Sequence, residues 1–179
     1  MASKKLGALT PFLNEAEMVE AVKEAVGDDI KTLTAIVMGS LGRSRTGAMD
    51  LFREIGLEES VLFVHCHTSE ANAMNQRFNG ENGMQWDQDE TIKSGPFQEI
   101  IERGVFVNCI RLSLPIPPLV THGQIQRAGS SRRLSVDVSC RTTDPHDPIP
   151  VYSSNTMLAE PTVDVGWVSV LSTRPTSAA

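Results

Sequence analysis

Residues 33–47 carry the feature that most restricts the fold. Leu33 to Met38 is a short apolar run with β-branched members, and it stops abruptly at Gly39-Ser40-Leu41-Gly42-Arg43-Ser44-Arg45-Thr46-Gly47. A run with no polar alternation is what a strand buried on both faces requires. Ala48 to Ile55 follows, with Ala48, Phe52 and Ile55 on one helical face and Gly56 behind them. Strand, glycine loop and helix are the local grammar, and the same alternation returns downstream. It predicts an α/β fold, a parallel sheet with helices on both faces.

Upstream, Asn14 is placed as an N-cap, with Glu17 at N3 and Leu13 positioned to staple onto Met18. Met18, Val22, Ala25 and Val26 share a stripe that Gly27 closes. Downstream, Ser60 to Cys66 reads as a second strand and Thr68 to Gly83, polar and aperiodic, as loop. Gly95-Pro96 opens a helix that turns Phe97, Ile100 and Ile101 inward and ends at Gly104. Val105 to Ile110 and Leu134 to Ser139 read as strands, and Gln124 to Ala128 as a helical stretch. The prolines of Asp144 to Pro150 forbid regular structure there. After Pro161 come Thr162 to Val170 and a Ser/Thr/Pro tail.

Composition narrows the partners. In 179 residues, 16 Lys plus Arg stand against 22 Asp plus Glu, a net charge of −6 that repels a phosphate backbone, so no nucleic-acid partner is expected. No apolar run approaches the roughly 20 residues of a membrane span, and no signal peptide is visible, so a cytoplasmic chain with no membrane partner is expected. Cys66, Cys109 and Cys140, odd in number and far apart, suggest reduced thiols. His65 and His67 flank Cys66, but only His122 and His146 remain as further imidazole ligands, so no metal site is expected. Neighbours in a strand point to opposite faces, which also disfavours a Cys-His nucleophile pair there. Arg127, Arg132 and Arg133 read better as a solvated loop than as an anion patch.

A strand running into glycines and then a helix leaves free backbone N–H groups and a positive helix end where a pyrophosphate can sit. The spacing Gly39, Gly42, Gly47 is not the usual G-x-G-x-x-G, so the loop alone leaves nucleotide binding and a simple turn both open. A dinucleotide site also needs a carboxylate about 20 residues on to hold ribose hydroxyls, and distance alone favours Glu70 over Asp87.

A collinear set of motifs reverses that choice. Gly39-Ser40-Leu41-Gly42-Arg43, Trp86-Asp87 with Glu90-Thr91, Gly95-Pro96-Phe97-Gln98-Glu99-Ile100, Phe106-Val107-Asn108-Cys109-Ile110, Val136-Asp137-Val138-Ser139 and Thr142-Thr143-Asp144-Pro145-His146-Asp147-Pro148-Ile149-Pro150 resemble, in order, the second half of the NAD-dependent, lysine-forming saccharopine dehydrogenases. The resemblance implies an incomplete Rossmann-like α/β domain, with NAD as cofactor and no metal. It implies the reaction of saccharopine and NAD to L-lysine, 2-oxoglutarate and NADH in the aminoadipate route of lysine biosynthesis. By the same resemblance Gly39 is a cofactor-binding residue, Gly42 and Arg43 meet the cofactor pyrophosphate, Asp87 and Thr91 the adenosine ribose, and Val138 the nicotinamide side. Arg111 falls where the family has a cofactor-contacting tyrosine. Ser139, Cys140 and Arg141 fall where it touches its amino-acid substrate.

The domain reading that follows is an N-terminal helix and lead-in over 1–32, a Rossmann-like NAD-binding domain over 33–165 with an irregular insertion at 64–85, and a divergent tail over 166–179. Joining Phe63 to Trp86 would bring Asp87 near the expected spacing, so 64–85 reads either as a surface insertion or as an in-frame retained intron. Three arginines depart from the family: Arg45 replaces a glycine, Arg111 the tyrosine, and Arg141 an acidic substrate contact. Ser44 replaces a cysteine that in some members pairs at the position of Cys109. The family's acid-base lysine and histidine belong to a domain outside these residues, so no catalytic residue is assigned. The chain alone is expected to be inactive and to meet saccharopine, or lysine and 2-oxoglutarate, only when completed. The alternative is a non-catalytic nucleotide-binding module acting through a protein partner.

Overall fold

The computed structural model describes residues 10–39, 43–57, 62–65, 98–110, 118–127, 133–138, 142, 147, 149–166 and 168–172. In chain order its elements are α1 (Glu15–Val26), β1 (Ala35–Met38), α2 (Arg43–Glu54), β2 (Leu62–His65), α3 (Gln98–Glu102), β3 (Val105–Asn108), α4 (His122–Arg127), β4 (Arg133–Asp137), β5 (Val163–Val165) and β6 (Val168–Ser172). They form one six-stranded sheet in the order β2-β1-β3-β4-β6-β5. Every pairing is parallel except that of β5 with β6. This is an incomplete Rossmann-like α/β fold.

The alternation of strand side chains sorts the core into two layers. Ala35, Val37 and Val107 pack with Val19 of α1 and Met49, Phe52 and Ile55 of and just after α2. Ile36, Met38 and Phe106 point the other way, onto Ile100 and Ile101 of α3 and Ile125 of α4, with Val168 and Val170 of β6. Helices therefore cover both faces, as right-handed crossovers demand when the chain leaves β1 toward β2 and then returns past β1 to β3.

Element boundaries shift from the sequence reading in instructive ways. Asn14 Oδ1 accepts from the Glu17 N–H at 2.9 Å, as expected of the cap. Glu17 reaches back one residue further, to the Leu13 N–H at 2.8 Å, and the staple fails because Leu13 is 92% exposed. Val19 takes the buried place that the stripe gave to Ala25, which is exposed. α2 begins at Arg43, so Arg43 to Gly47, read as part of the glycine loop, are helical. Gly47 has open space where a Cβ would sit, and an exposed helical glycine costs only about 1 kcal/mol against alanine.

The irregular insertion expected from residue 64 starts inside a strand, since Val64 and His65 pair with Val37 and Met38. Positions 66–85 lie outside the described residues. The Thr162 to Val170 segment is two strands, broken where Gly166 turns at φ 58°, and β6 continues to Ser172 against β4. Residues 168–172 thus enter the sheet and pair with the edge that β4 would otherwise leave open. α4 opens two residues earlier than read, at a reciprocal cap: Gln124 Oε1 accepts from the Thr121 N–H at 2.9 Å and Thr121 Oγ1 accepts from the Gln124 N–H at 3.4 Å.

Ile36 is 1% exposed at the centre of one layer, and its truncation leaves a cavity with no route to collapse. Ile36→Ala should lower unfolding free energy by about 2–5 kcal/mol, whereas Asn14→Ala should cost about 1 kcal/mol. Urea denaturation followed by circular dichroism measures both, and equal small effects would contradict this core.

Candidate functional site

The sheet order places its switch point between β1 and β3. β1 leads through α2 to β2 on one side, and the chain then crosses to β3 on the other, so the strands part above their carboxyl ends. Gly39 stands at that point, buried, with φ 135°, in a backbone region that L side chains rarely adopt. A Cβ there would lie 2.5 Å from the carbonyl carbon of Cys109 and 2.6 Å from its oxygen. The two strand ends are this close because the Cys109 N–H donates to the Met38 carbonyl at 2.6 Å. Only glycine fits between them.

Arg43 is exposed at the start of α2, whose first turn holds no acidic residue. Arg45 follows two positions on, with its Nε buried and without a hydrogen-bond partner among the described residues. Cys109 is half-buried. Burial pushes the Cys109 thiol above its ordinary range; the Arg45 guanidinium pulls it back down and the Asp137 carboxylate adds a smaller upward push. The Arg45 guanidinium and the Cys109 thiol are therefore near enough to interact electrostatically.

Behind the β1–β3 crevice the sheet ends in a row of polar side chains. Asn108 and Asp137 are partners in the β3–β4 register, and Asn108 Nδ2 donates to Asp137 Oδ1 at 2.9 Å. The Tyr152 hydroxyl donates to Asp137 Oδ2 at 2.6 Å. Asn108 Oδ1 accepts from the Ile110 N–H at 3.1 Å, and its carbonyl from the Val138 N–H at 3.0 Å. All three side chains are buried, at 0%, 1% and 7% exposure. A small cavity of about 20 Å³ lies elsewhere, among Ile100, Phe106, Ile125, Ile149 and Val168, with room for little more than a water.

Of the cofactor residues read from the sequence, Gly39, Arg43 and Val138 are described. Gly39 and Val138 stand at the carboxyl ends of β1 and β4, and Arg43 opens the helix that follows β1. Gly42, Asp87, Thr91 and Arg111 lie outside the described residues, as do Ser139, Cys140 and Arg141. Among the described residues no group of His, Cys, Asp and Glu is arranged to hold a metal ion, and no helix is long and apolar enough to cross a membrane. Tyr152 carries no local sequence signal, and Asn108 and Asp137 stand in the sequence only as members of the resembling motifs. Their pairing depends on strand register and on the return of residues 149–152 beneath β4, which no local pattern announces.

An open, mostly parallel sheet with Gly39 at its switch point defines a Rossmann-like α/β domain. No family model matches the chain. Curated relatives do: it is 38% identical over 167 residues to the saccharopine dehydrogenase [NAD(+), L-lysine-forming] of Yarrowia lipolytica, over 91% of this chain and 40% of that protein. The enzyme of the same name from Candida albicans is 38% identical over 90% of this chain and 38% of its own length. That from Schizosaccharomyces pombe is 37% identical over 93% and 41%. These matches make the chain a relative of the saccharopine dehydrogenases, and it spans about 40% of the length of the curated relatives it matches.

The Cys109 environment carries a pH prediction. With the thiol pKa raised by burial, alkylation of Cys109 by iodoacetamide, followed residue by residue by mass spectrometry, should lag that of a free thiol at pH 8 and catch up only at higher pH. Arg45→Ala removes the one influence lowering that pKa, so its profile should move further up. A downward move would mean that the guanidinium does not face the thiol.

Proposed function

We propose that the chain is the NAD-binding part of a saccharopine dehydrogenase, an oxidoreductase of lysine biosynthesis. The observation that carries the reading is Gly39: at the switch point of the sheet the backbone of β1 meets that of β3 with no room for a Cβ. That lets a pyrophosphate come down onto main-chain N–H groups at the start of α2. The donor set fits an anion there, because Arg43 and Arg45 bring two cations and the first turn of the helix brings no carboxylate.

In this reading Gly39, Gly42 and Arg43 hold the pyrophosphate, and Asp87 and Thr91 hold the adenosine ribose. Arg111 stands at the cofactor, Val138 lies along its nicotinamide side, and Ser139, Cys140 and Arg141 face the amino-acid substrate. Bound NAD supplies the hydride acceptor. The chain's own residues bind and orient it and keep water from one wall of the cleft. Oxidation of saccharopine to L-lysine and 2-oxoglutarate also needs proton transfers, typically worth roughly 10²–10⁴-fold each. No described residue of the crevice is assigned to them, so turnover is proposed for the completed protein and not for this chain alone.

A second reading has one observation in its favour. Arg45 stands where the resemblance calls for glycine, and its charge reaches Cys109 across the crevice. A guanidinium filling the phosphate position would leave a fold without a cofactor, acting through a protein partner. Calorimetric titration of the purified chain with NAD and with NADP separates the two. NAD should bind, and bind tighter than NADP, because the Asp87 carboxylate accepts ribose hydroxyls and repels a 2′-phosphate. Equal or tighter NADP binding would remove Asp87 from the site, and binding of neither would favour the second reading.

A further inference from the structure

The peptide that joins Cys109 to Ile110 is the part of the β3 end that lies against Gly39: a Cβ at Gly39 would come within 2.5 Å of its carbonyl carbon and 2.6 Å of its oxygen. The N–H of that same peptide donates to Asn108 Oδ1 at 3.1 Å. In a trans peptide the C=O and N–H point in opposite directions, so holding the N–H fixes where the carbonyl faces. Asn108 therefore does more than end a strand, because its side chain turns the 109–110 peptide so that the carbonyl lies on Gly39. The carboxamide is itself held, with Nδ2 donating to Asp137 Oδ1 at 2.9 Å, and its 0% exposure keeps solvent from competing for Oδ1.

The preceding peptide is fixed from the other strand, since the Cys109 N–H donates to the Met38 carbonyl at 2.6 Å. At the switch point β3 thus meets β1 through two successive peptides, one held by the β1 backbone and the next by the Asn108 side chain. We propose that Asn108 is a positioning residue for the cofactor: it sets the 109–110 peptide against Gly39 and so fixes the β3 wall of the crevice in which NAD binds. This rests on the NAD reading above and adds the residue that shapes the crevice where Gly39 leaves room for it. Asn108 touches no reacting atom and acts only through that peptide. Asp137 holds Asn108 but also accepts from Tyr152 and acts on the Cys109 thiol, so the decisive comparison keeps position 137 constant.

The test uses two double variants that differ only at residue 108. Asn108→Asp with Asp137→Asn exchanges the amide and the carboxylate, so an oxygen still accepts the Ile110 N–H and an amide still donates between the two strands. Asn108→Leu with Asp137→Asn fills a similar volume and offers no acceptor. In calorimetric titrations of the full chain, the exchanged pair should bind NAD within about twofold of the unaltered chain and the leucine variant about tenfold more weakly, the scale of one lost hydrogen bond. Thr34→Val controls for stability: it removes the hydroxyl that accepts the Gly104 N–H at 3.1 Å at the opposite end of β1, and should lower the thermal midpoint with no change in NAD affinity. Should the leucine variant not fold, the unaltered chain still decides. In an amide titration with NAD the Ile110 N–H should move along with that of Gly39, and an Ile110 amide that stays in place at saturation overturns the proposal. Equal NAD binding by the two double variants overturns it as well, as does a loss in Thr34→Val as large as in the leucine variant. Those results leave the cofactor reading standing, whereas failure of the unaltered chain to bind NAD overturns that reading and this proposal with it.

Discussion

The contact between Gly39 and Cys109 is the constraint on which the rest of the arrangement turns. β1 and β3 are neighbours in space but are separated in sequence by α2, β2 and α3, so the chain must leave β1 in one direction and come back in the other. The return opens a crevice at the carboxyl ends of the two strands. Its depth is set by how closely the two backbones approach, and that approach is set by the Cys109 to Met38 hydrogen bond and by the missing side chain at Gly39. A larger residue would push the strands apart where a nucleotide would have to bridge them.

Around this point the two faces of the sheet do different work. The layer under α1 and α2 is wholly apolar at its core, from Val19 through Val37 to Phe52, and gives α2 a rigid seat. The opposite layer is apolar under α3 and α4 but ends at the carboxyl edge in buried polar groups, Asn108 and Asp137, with the Tyr152 hydroxyl. Apolar packing sets how far apart the layers lie. Directional hydrogen bonds set where the chain goes on leaving the strands, which packing alone does not specify.

Much of this was legible in the sequence, and the reasons differ by element. β1 and β3 announced themselves as apolar runs stopped by glycine or by a polar residue, because strands buried on both faces tolerate nothing else. The cap at Asn14 and the inward turn of Ile100 and Ile101 followed from local spacing. The start of α2 did not, since Arg43-Ser44-Arg45-Thr46-Gly47 has the composition of a loop and becomes helical through the packing of Met49 and Phe52 behind it. The hairpin of β5 and β6 was hidden because Gly166 marks a turn only once both flanking strands are known. The network of Asn108, Asp137 and Tyr152 is a property of register between distant segments, and the resemblance pointed to the neighbouring Val138 without revealing what holds it in place.

The most direct test of the account is to ask where on the chain NAD binds. Uniform ¹⁵N labelling and a titration of the amide spectrum with NAD would read each backbone N–H separately. Binding in the crevice predicts that the amides of Gly39, Arg43, Cys109 and Val138 move together with one saturation curve, while those of Val19, Val163 and Ser169 stay in place. Shifts confined to the α4 and β5 side of the sheet, or no shift at Gly39 and Cys109 when NAD is saturating, would contradict it.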